Sequence, residues 1–469
     1  MSADSSLTMD LRGKLNTYRK SMEKIYYIFL AINLIYEMLG KTSILYYMAY
    51  GIVGLMHGMD PELAALLFRS FLNLRFLIII PAAYAIVMDT KTQRERILLI
   101  AMLALGWIYF FRFREWNETE VFRTMLLIVA SYGKDYKKIA RYYILIAAGV
   151  LIISAFLSIL GLLPEYNMVR NGRVRHSFGT LGATTEAGIW CFILMTIMFL
   201  RDGALKSKDL LLIAVMTILN IVFVDGRVAL LCTVLATGTC LCFMFARKKR
   251  FSLPEKLLRI SGILLTAVYI IVAGVYMLLM VSYRPDPDAF YHRISFFSSY
   301  EGRFATPNSM LEELPPSLFG NYYDKYDAVT RTLDDVYVDV NERYTFLDSS
   351  YAALYLIYGI AGLLVTIALL TGLQYRLLRK KQYFRMCLMA IASLFFVVQR
   401  GILDPLYDIV LLMLFAKIPP AAGGVADIKK GKNKITEGEE NGKKAGEIPD
   451  GEVKTDGDIT EGAFLLMNK

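Results

Sequence analysis

The sequence predicts an all-α protein that crosses a membrane about twelve times. The first observation is composition: 56% of the 469 residues are hydrophobic and the mean hydropathy is +0.45. A soluble protein of this length would expose more apolar surface than water tolerates. The second observation is that many apolar runs reach the roughly 20 residues that a helix needs to cross a bilayer. The third is that basic connections follow alternate runs, as the distribution of Lys and Arg around membrane spans requires.

The chain opens with a polar, basic segment, residues 1–23. It is too long and polar to begin a cleavable secretory signal, so the first apolar run is expected to be retained. From residue 24 to 420 we expect one polytopic membrane domain. Its apolar runs lie near 24–40, 72–88, 97–112, 119–133, 141–163, 183–200, 209–225, 228–246, 258–281, 350–374, 384–399 and 402–418.

The basic connections set the expected orientation. They read DTKTQRER, GKDYKKIAR, RDGALKSKD, RKKR and YRLLRKKQYFR. Twelve spans with a cytoplasmic N-terminus place all of them, and the C-terminus, on the cytoplasmic side. The short apolar stretch 43–56 would reverse every later loop if it crossed, so we expect it to be re-entrant or interfacial.

Two longer connections then face away from the cytoplasm, near 164–182 and 282–349. A short helix is expected in the second, with Asn308 as its N-cap and Pro315-Pro316 at its end. Residues 421–469 are rich in Gly, Lys and Glu with few large apolar residues, which predicts a disordered cytoplasmic tail. The net charge of +10 is spread over membrane loops and this tail, so no nucleic-acid partner is expected.

The five cysteines all fall in apolar runs, where they are most simply small buried side chains. Two of them form a C-x-C pair, but no histidine lies nearby to complete a zinc site. The sequence therefore predicts no metal site.

Arginines gather where the predicted topology does not favour them. Arg170, Arg173 and Arg175 lie in one outer loop, and Arg227 lies in a tight outer turn between two spans. Contacts with lipid headgroups or local ion pairs would explain any one of them. A cluster instead favours an anion site, because each guanidinium offers several donors in one plane for phosphate. Phosphate at a membrane surface belongs to lipids, so we expect a site for a lipid-linked pyrophosphate.

Two further side chains could move a proton. His176 follows the arginines and could shuttle a proton, bond a phosphate or be purely structural. Asp348 precedes a predicted span, where it or Ser349 could cap the helix. It could equally act as a general base or orient an arginine.

At these residues the sequence resembles the Wzy-type oligosaccharide repeat-unit polymerases of bacterial capsule, exopolysaccharide and O-antigen assembly. The resemblance lies in RNGRVRHSFG, in VDGRVAL, in EGRF followed by SLFGN, and in FLDSSYAALYLIYGIAGLL, in that order. It extends over residues 90–420. Two departures concern polar groups: TLGATTE replaces the family's usual continuation with His-Pro-Asn, and Ser349 stands where an Asn is usual.

The resemblance implies a fold of the membrane glycosyltransferase (GT-C-like) type in the bacterial cytoplasmic membrane. It also implies inverting, metal-independent glycosyl transfer without a cofactor, with the growing glycan on undecaprenyl pyrophosphate as donor and one lipid-linked repeat unit as acceptor. Preorganised arginines would stabilise the leaving pyrophosphate. The resemblance assigns pyrophosphate binding to Arg175 and Arg227 at the core of the site, with Arg173, Arg303 and Arg170 assisting. Asp348 or His176 would accept the proton of the acceptor hydroxyl.

Two other functions stay open at this point. An O-antigen-ligase-like enzyme would transfer the glycan to another acceptor, but such enzymes usually carry a histidine where this chain has Asp348. A flippase or transporter of lipid-linked oligosaccharide would need charge within its spans, whereas the charge here lies mainly in loops, without the internal repeat that transporters use. The expected partners are the lipid-linked donor and acceptor, membrane lipids, a chain-length regulator and a flippase.

Overall fold

A computed structural model describes the chain over residues 3–45, 73–113, 120–170, 172–248, 255–284, 302–321 and 347–420. The described residues are mostly helical. The predicted tail 421–469 lies outside these ranges, as does most of the predicted loop 282–349. The predicted re-entrant segment 43–56 lies outside them from residue 46 onward.

The first half of the described chain forms helices and one hairpin. The elements are α1 (Ala3–Gly40), α2 (Ile79–Tyr84), α3 (Gln93–Phe113), α4 (Glu120–Ala130), α5 (Tyr136–Ile159), β1 (Met168–Arg170) and β2 (Arg173–Arg175). A 3-10 turn over Leu74–Ile78 and a π-turn over Ala85–Asp89 flank α2. Residues 3–23 of the polar segment share helix α1 with the first apolar run. Hydropathy marks the apolar part of a helix rather than its start.

The second half continues as helices with interruptions. The elements are α6 (Ala183–Arg201), α7 (Ser207–Leu219), α8 (Arg227–Lys248), α9 (Glu255–Thr266), α10 (Val268–Val281), α11 (Gly302–Glu313), α12 (Ser350–Leu356), α13 (Gly359–Arg379) and α14 (Tyr383–Val398). A π-turn over Asn220–Val224 extends α7, and a 3-10 turn over Ile409–Leu414 follows α14.

Six of the described helices are long and apolar enough to cross a membrane. They are α3, α5, α6, α7 with its π-turn, α8 and α13. The pair α9–α10, bent by 49°, makes a seventh if it is counted as one span. The other predicted runs form elements that do not combine this length with this hydropathy. The described part of the chain is therefore a helical, membrane-embedded protein.

Contacts between distant residues show which helix ends lie together. At one end, which we call the basic end, Lys134 contacts Asp89 at 3.0 Å and Lys138 contacts Glu23 at 3.0 Å. Asp135 fixes the start of α5 there, since its side chain accepts a hydrogen bond from the backbone N–H of Lys137. The opposite end carries the β-hairpin and α11, and we call it the loop end. There the end of α1 meets the loop that follows the hairpin, because Ser43 N donates to Gly179 O at 2.9 Å.

The last predicted span, 402–418, is not a helical span. Its residues form turns and the short 3-10 turn, although almost all of them are buried. Pro405 prevents an α-helix through this segment, since it lacks an N–H and would clash with the preceding turn. Side chains of the neighbouring helices bond its carbonyls instead: Tyr143 OH donates to Leu406 O at 2.6 Å, and Arg376 Nη1 donates to Met413 O at 2.8 Å. Irregular backbone is tolerated at membrane depth only when protein covers it in this way.

The predicted span 350–374 is broken at Ile357 and Tyr358, between α12 and α13. The segment SLFGN packs into this break: Ile360 N donates to Ser317 O at 3.0 Å and Ala361 N donates to Leu318 O at 2.9 Å. Gly320 and Gly359 lie face to face there, with φ angles of +85° and +75°. A Cβ on Gly359 would lie 2.3 Å from the backbone nitrogen of Gly320. Glycine is thus required at this crossing by both conformation and space.

The helix predicted around Asn308 exists but begins earlier. It starts at Gly302, and Pro307 lies inside it. Asn308 is not its N-cap; the Asn308 side chain donates to Met280 O at 2.9 Å and holds α11 against the end of α10. The helix ends at Glu313, ahead of the two prolines, as predicted.

Candidate functional site

A cavity of about 100 Å³ lies at the loop end, between the first turns of α6 and α8 and the end of α14. Phe395 and Val398 form part of an apolar wall. Its polar lining residues are Arg175, Thr184, Asp225, Arg227, Arg303 and Gln399. Three arginines from three separate segments of the chain therefore meet at one place.

Arg175 is the most enclosed of the three. It ends β2, and the antiparallel register of the hairpin places it opposite Met168. Only 5% of the residue is exposed. Its Nε donates to Val224 O at 3.1 Å and its Nη2 donates to Asp225 O at 3.2 Å. Arg175 thus contacts the cavity and also holds the turn that precedes α8.

That turn requires a special backbone. Asp225 has a positive φ of 47°. The backbone N–H of Gly226 donates to the Asn220 side-chain oxygen at 2.8 Å, which closes the turn after the π-turn. A Cβ on Gly226 would lie 2.2 Å from the Cβ of Ala187 on α6. The close approach of these two elements forms one wall of the cavity, and only glycine allows it.

Arg227 is the first residue of α8 and is the more accessible arginine, with 51% of its side chain exposed. Its Nε lies 3.5 Å from an oxygen of Asp225. Val228 and Ala229 also line the cavity, so the first turn of α8 faces it. The N-terminus of a helix carries a partial positive charge that attracts anions. The N-terminus of α8 and the Arg227 guanidinium therefore both attract an anion to the cavity.

Arg303 reaches the cavity from α11. Its carbonyl accepts a hydrogen bond from Tyr276 OH at 2.9 Å, which fixes α11 against α10. Its guanidinium pairs with Asp348, just before α12. Asp348 therefore contacts an arginine of the cavity, and the N-cap of α12 is Ser349. Of the three roles open to Asp348, which were helix capping, general base and orienting an arginine, the contact with Arg303 fits the last.

His176 lies next to the cavity wall but does not line it. Its Nδ1 is 2.9 Å from an oxygen of Glu165, and its backbone N–H donates to Phe223 O at 2.8 Å. The ring stacks on Phe178 with centroids 5.8 Å apart. These contacts join the outer loop to the end of the π-turn that extends α7.

Of the other two predicted arginines, the structure describes the side chain of Arg173 alone. Arg173 is exposed on β2 and is absent from the lining. For Arg170 only the backbone, paired with Arg173 across the hairpin, is described. The hairpin thus presents Arg175 to the cavity and Arg173 to its surroundings.

The charges that line the cavity favour an anion. Three guanidinium groups line it, and among the described residues the carboxylates of Asp225 and Asp348 contact Arg227 and Arg303. A bound phosphate can take over donors that these carboxylates now use, since it accepts several N–H bonds at once. Among the described residues, no three His, Cys, Asp or Glu side chains group as metal ligands would.

The sequence did not predict that Gln399 and Arg400 would lie at the loop end beside the cavity. Gln399 lines the cavity, and the next residue, Arg400, contacts Glu120 on the far side of the same turn. The available signal was the polar pair Gln399-Arg400 between two apolar runs. Nothing in its neighbourhood indicated which distant residues it would meet.

Comparisons of the chain with protein-family models, with curated proteins and with solved structures give no match. The cavity and the sequence motifs around it therefore carry the functional conclusion.

Proposed function

We propose that the protein polymerises undecaprenyl-pyrophosphate-linked oligosaccharide repeat units into a surface polysaccharide. The observation that carries this proposal is the meeting of Arg175, Arg227 and Arg303 in one cavity. The motifs that carry the resemblance, RHSFG, VDGRV and EGRF, are the ones that supply these arginines. Motifs far apart in the sequence thus converge on groups suited to a pyrophosphate.

In the proposed reaction, a hydroxyl of the acceptor repeat unit attacks the anomeric carbon of the donor glycan. The bond from that carbon to the pyrophosphate oxygen breaks, and the configuration inverts. Negative charge builds on the departing lipid pyrophosphate, where the arginines and the first turn of α8 stabilise it. A base takes the proton of the attacking hydroxyl, and no metal ion is needed for these steps.

Asp348 is the better placed of the two candidate bases. It contacts Arg303, a lining residue, whereas His176 bonds Glu165 outside the cavity. A pyrophosphate that attracts Arg303 would release the Asp348 carboxylate at the moment when a base is required. His176 supports the wall that carries the end of α7.

Asp348→Asn should therefore slow polymerisation much more than His176→Gln. We expect Asp348→Asn to lower the rate by about 100-fold or more, because it removes a general base. We expect His176→Gln to lower the rate by no more than about fivefold, because a glutamine at this position can still bond Glu165. The measurement is the initial rate of polymer formation by purified protein in lipid. A larger loss in His176→Gln would make the histidine the base.

The proposal includes an architecture. Twelve passages between the basic end and the loop end, in a GT-C-like arrangement, would place both termini and the basic loops in the cytoplasm. The arginine cavity would then lie at the outer surface of the cytoplasmic membrane, where lipid-linked repeat units await polymerisation.

A ladder assay tests the function directly. Purified protein in lipid vesicles, given only the lipid-linked repeat unit and no divalent ion, should produce a ladder of lipid-linked glycans. A ligase would leave the repeat unit unchanged until another acceptor was added, and a transporter would form no glycosidic bond. A strict requirement for a divalent ion would contradict the proposed mechanism.

A further inference from the structure

A second polar cleft lies beside the arginine cavity. It has a volume of about 10 Å³, room for one water-sized group. Glu120, Tyr358, Arg400 and Ser350 are the lining residues with polar side chains, and Gly401 also lines the cleft. Glu120 and Arg400 are each about one-fifth exposed, 20% and 21% of their side chains, so the cleft is open at its mouth.

The side chains of Glu120, Tyr358 and Arg400 surround a common point without closing tightly on one another. Arg400 Nη2 lies 3.8 Å from Glu120 Oε2 and 3.4 Å from Tyr358 OH, and Tyr358 OH lies 3.4 Å from the same Glu120 oxygen. These separations exceed the usual 2.5–3.0 Å for O–H···O and 2.7–3.2 Å for N–H···O bonds. A small group that lies to one side of the plane of these three atoms could bond all three: a carboxylate to accept, a guanidinium to donate and a phenol to do either.

The backbone around the cleft is fixed. Ser350 Oγ donates to Gln399 O at 2.7 Å and accepts from Gly401 N at 3.0 Å. Tyr109 OH donates to Tyr358 O at 2.7 Å. The backbone that carries Tyr358 and Arg400 is therefore set before any ligand arrives, which lowers the free-energy cost of binding.

The charges around the cleft are balanced, unlike those of the arginine cavity. Arg400 faces Glu120, Arg123 pairs with Glu37, and Lys41 lies 2.9 Å from Asp404. Burial lowers the pKa of Lys41, but Asp404, Tyr407 and Glu120 together offset this and raise that pKa above the ordinary lysine value. Among the described residues, these three cations thus lie opposite three anions, an arrangement that suits an uncharged polar ligand and gives no preference for phosphate.

The cleft and the cavity share one turn. Gln399 has an extended backbone, with φ −125° and ψ 132°, and successive side chains of extended backbone point to opposite sides. Gln399 lines the arginine cavity and Arg400 lines the cleft. The two sites therefore begin at residues whose Cα atoms are about 3.8 Å apart, within the reach of one short oligosaccharide.

We propose that Glu120, Tyr358 and Arg400 form a subsite for a sugar ring of the acceptor repeat unit, with one sugar hydroxyl filling the cleft. This inference rests on the proposed function, because it assigns the neighbouring cavity to the donor pyrophosphate. The cleft holds an uncharged ring by hydrogen bonds, and the cavity holds the anion by charge. The acceptor is thereby positioned beside the bond that breaks.

Two probes separate the sites. One is inorganic pyrophosphate; the other is the free oligosaccharide released by mild acid from the lipid-linked repeat unit that accumulates in cells lacking the protein. Binding of each to the purified full-length protein in nanodiscs is measured by saturation-transfer NMR. Glu120→Gln should weaken oligosaccharide binding by about 10- to 100-fold and Tyr358→Phe by about 2- to 10-fold. Pyrophosphate binding should change less than about twofold in both variants.

Glu37→Gln is the matched control. It removes the carboxylate of a neighbouring ion pair that does not line the cleft, and it should bind both probes as the unmodified protein does. The inference is overturned if the unmodified protein does not bind the oligosaccharide, if Glu120→Gln binds it normally, or if Glu37→Gln loses as much binding as Glu120→Gln. Absence of pyrophosphate binding in the unmodified protein would instead contradict the proposed function, and Glu120-dependent oligosaccharide binding would still support the sugar subsite.

Discussion

Arg227→Lys and Arg175→Lys should each leave an inserted protein that accumulates single repeat units and makes little polymer. Lysine keeps the positive charge but offers a compact ammonium in place of a planar group with several donors. The loss of such a donor to a developing oxyanion raises the barrier by about 2–4 kcal/mol, which corresponds to a rate loss of roughly 30- to 1000-fold.

The two variants should differ in stability. Arg227 is half-exposed, so its replacement should affect the reaction and little else. Arg175 is buried and bonds the carbonyls of Val224 and Asp225. Lysine leaves those carbonyls without their partners, so Arg175→Lys should also lower the free energy of unfolding, by about 1–3 kcal/mol. Part of the rate loss in Arg175→Lys should therefore come from displacement of the turn that precedes α8.

The measurement is the ladder assay together with a thermal unfolding curve for each variant. Arg112→Lys is the matched control, because Arg112 is an exposed arginine near the end of α3 and does not line the cavity. It should polymerise at the normal rate. Normal ladders from both Arg175→Lys and Arg227→Lys would show that these arginines do not bind the pyrophosphate.

Gly359→Ala should detach the segment SLFGN, residues 317–321, from the start of α13. The residue has a φ of +75°, and an added Cβ would lie 2.3 Å from Gly320 N and 2.6 Å from Ser317 O. The left-handed conformation alone costs an ordinary residue about 1–3 kcal/mol, and backbone atoms cannot move aside as flexible side chains can. We expect a loss of unfolding free energy of about 3 kcal/mol or more, together with faster proteolysis near SLFGN.

Gly372→Ala is the control in the same helix. No atom lies within 4 Å of an added Cβ there, so alanine should be neutral or stabilising by up to about 1 kcal/mol. Polymer formation should fall in Gly359→Ala alone, since α11 and its Arg303 precede the detached segment. Equal stability and equal protease resistance in the two variants would show that the crossing of Gly320 and Gly359 is not needed.

Local patterns predicted the membrane class and two of the three arginines that line the cavity. The arginines at 175 and 227 stood out because each lies in a short polar segment between apolar runs, and charge in that place is a local signal. The approach of Arg303 depends on the packing of α11 against α10 through Asn308 and Tyr276. The spacing of residues in the sequence does not indicate such a contact. Only the resemblance connected Arg303 with Arg175 and Arg227.

Hydropathy indicates which segments avoid water and does not indicate their backbone conformation. It marked 350–374 as one run, although the chain breaks at Tyr358 so that SLFGN can pack there. It also missed the cleft proposed for the acceptor, because Glu120 and Arg400 lie at the ends of apolar runs and Tyr358 lies within another run. Charges at span ends and a tyrosine within a span are ordinary features of a membrane protein until the runs are placed side by side.

The irregular backbone of 402–418 has a consequence for how the protein is inserted. A helix can leave the translocation channel for lipid alone because its backbone groups are paired within the segment. This segment would bring unpaired carbonyls into hydrocarbon, at a cost of several kcal/mol for each. Its donors include Ser131, Tyr143 and Arg376, all earlier in the chain. The segment must therefore enter the membrane by folding directly onto helices that are already assembled there.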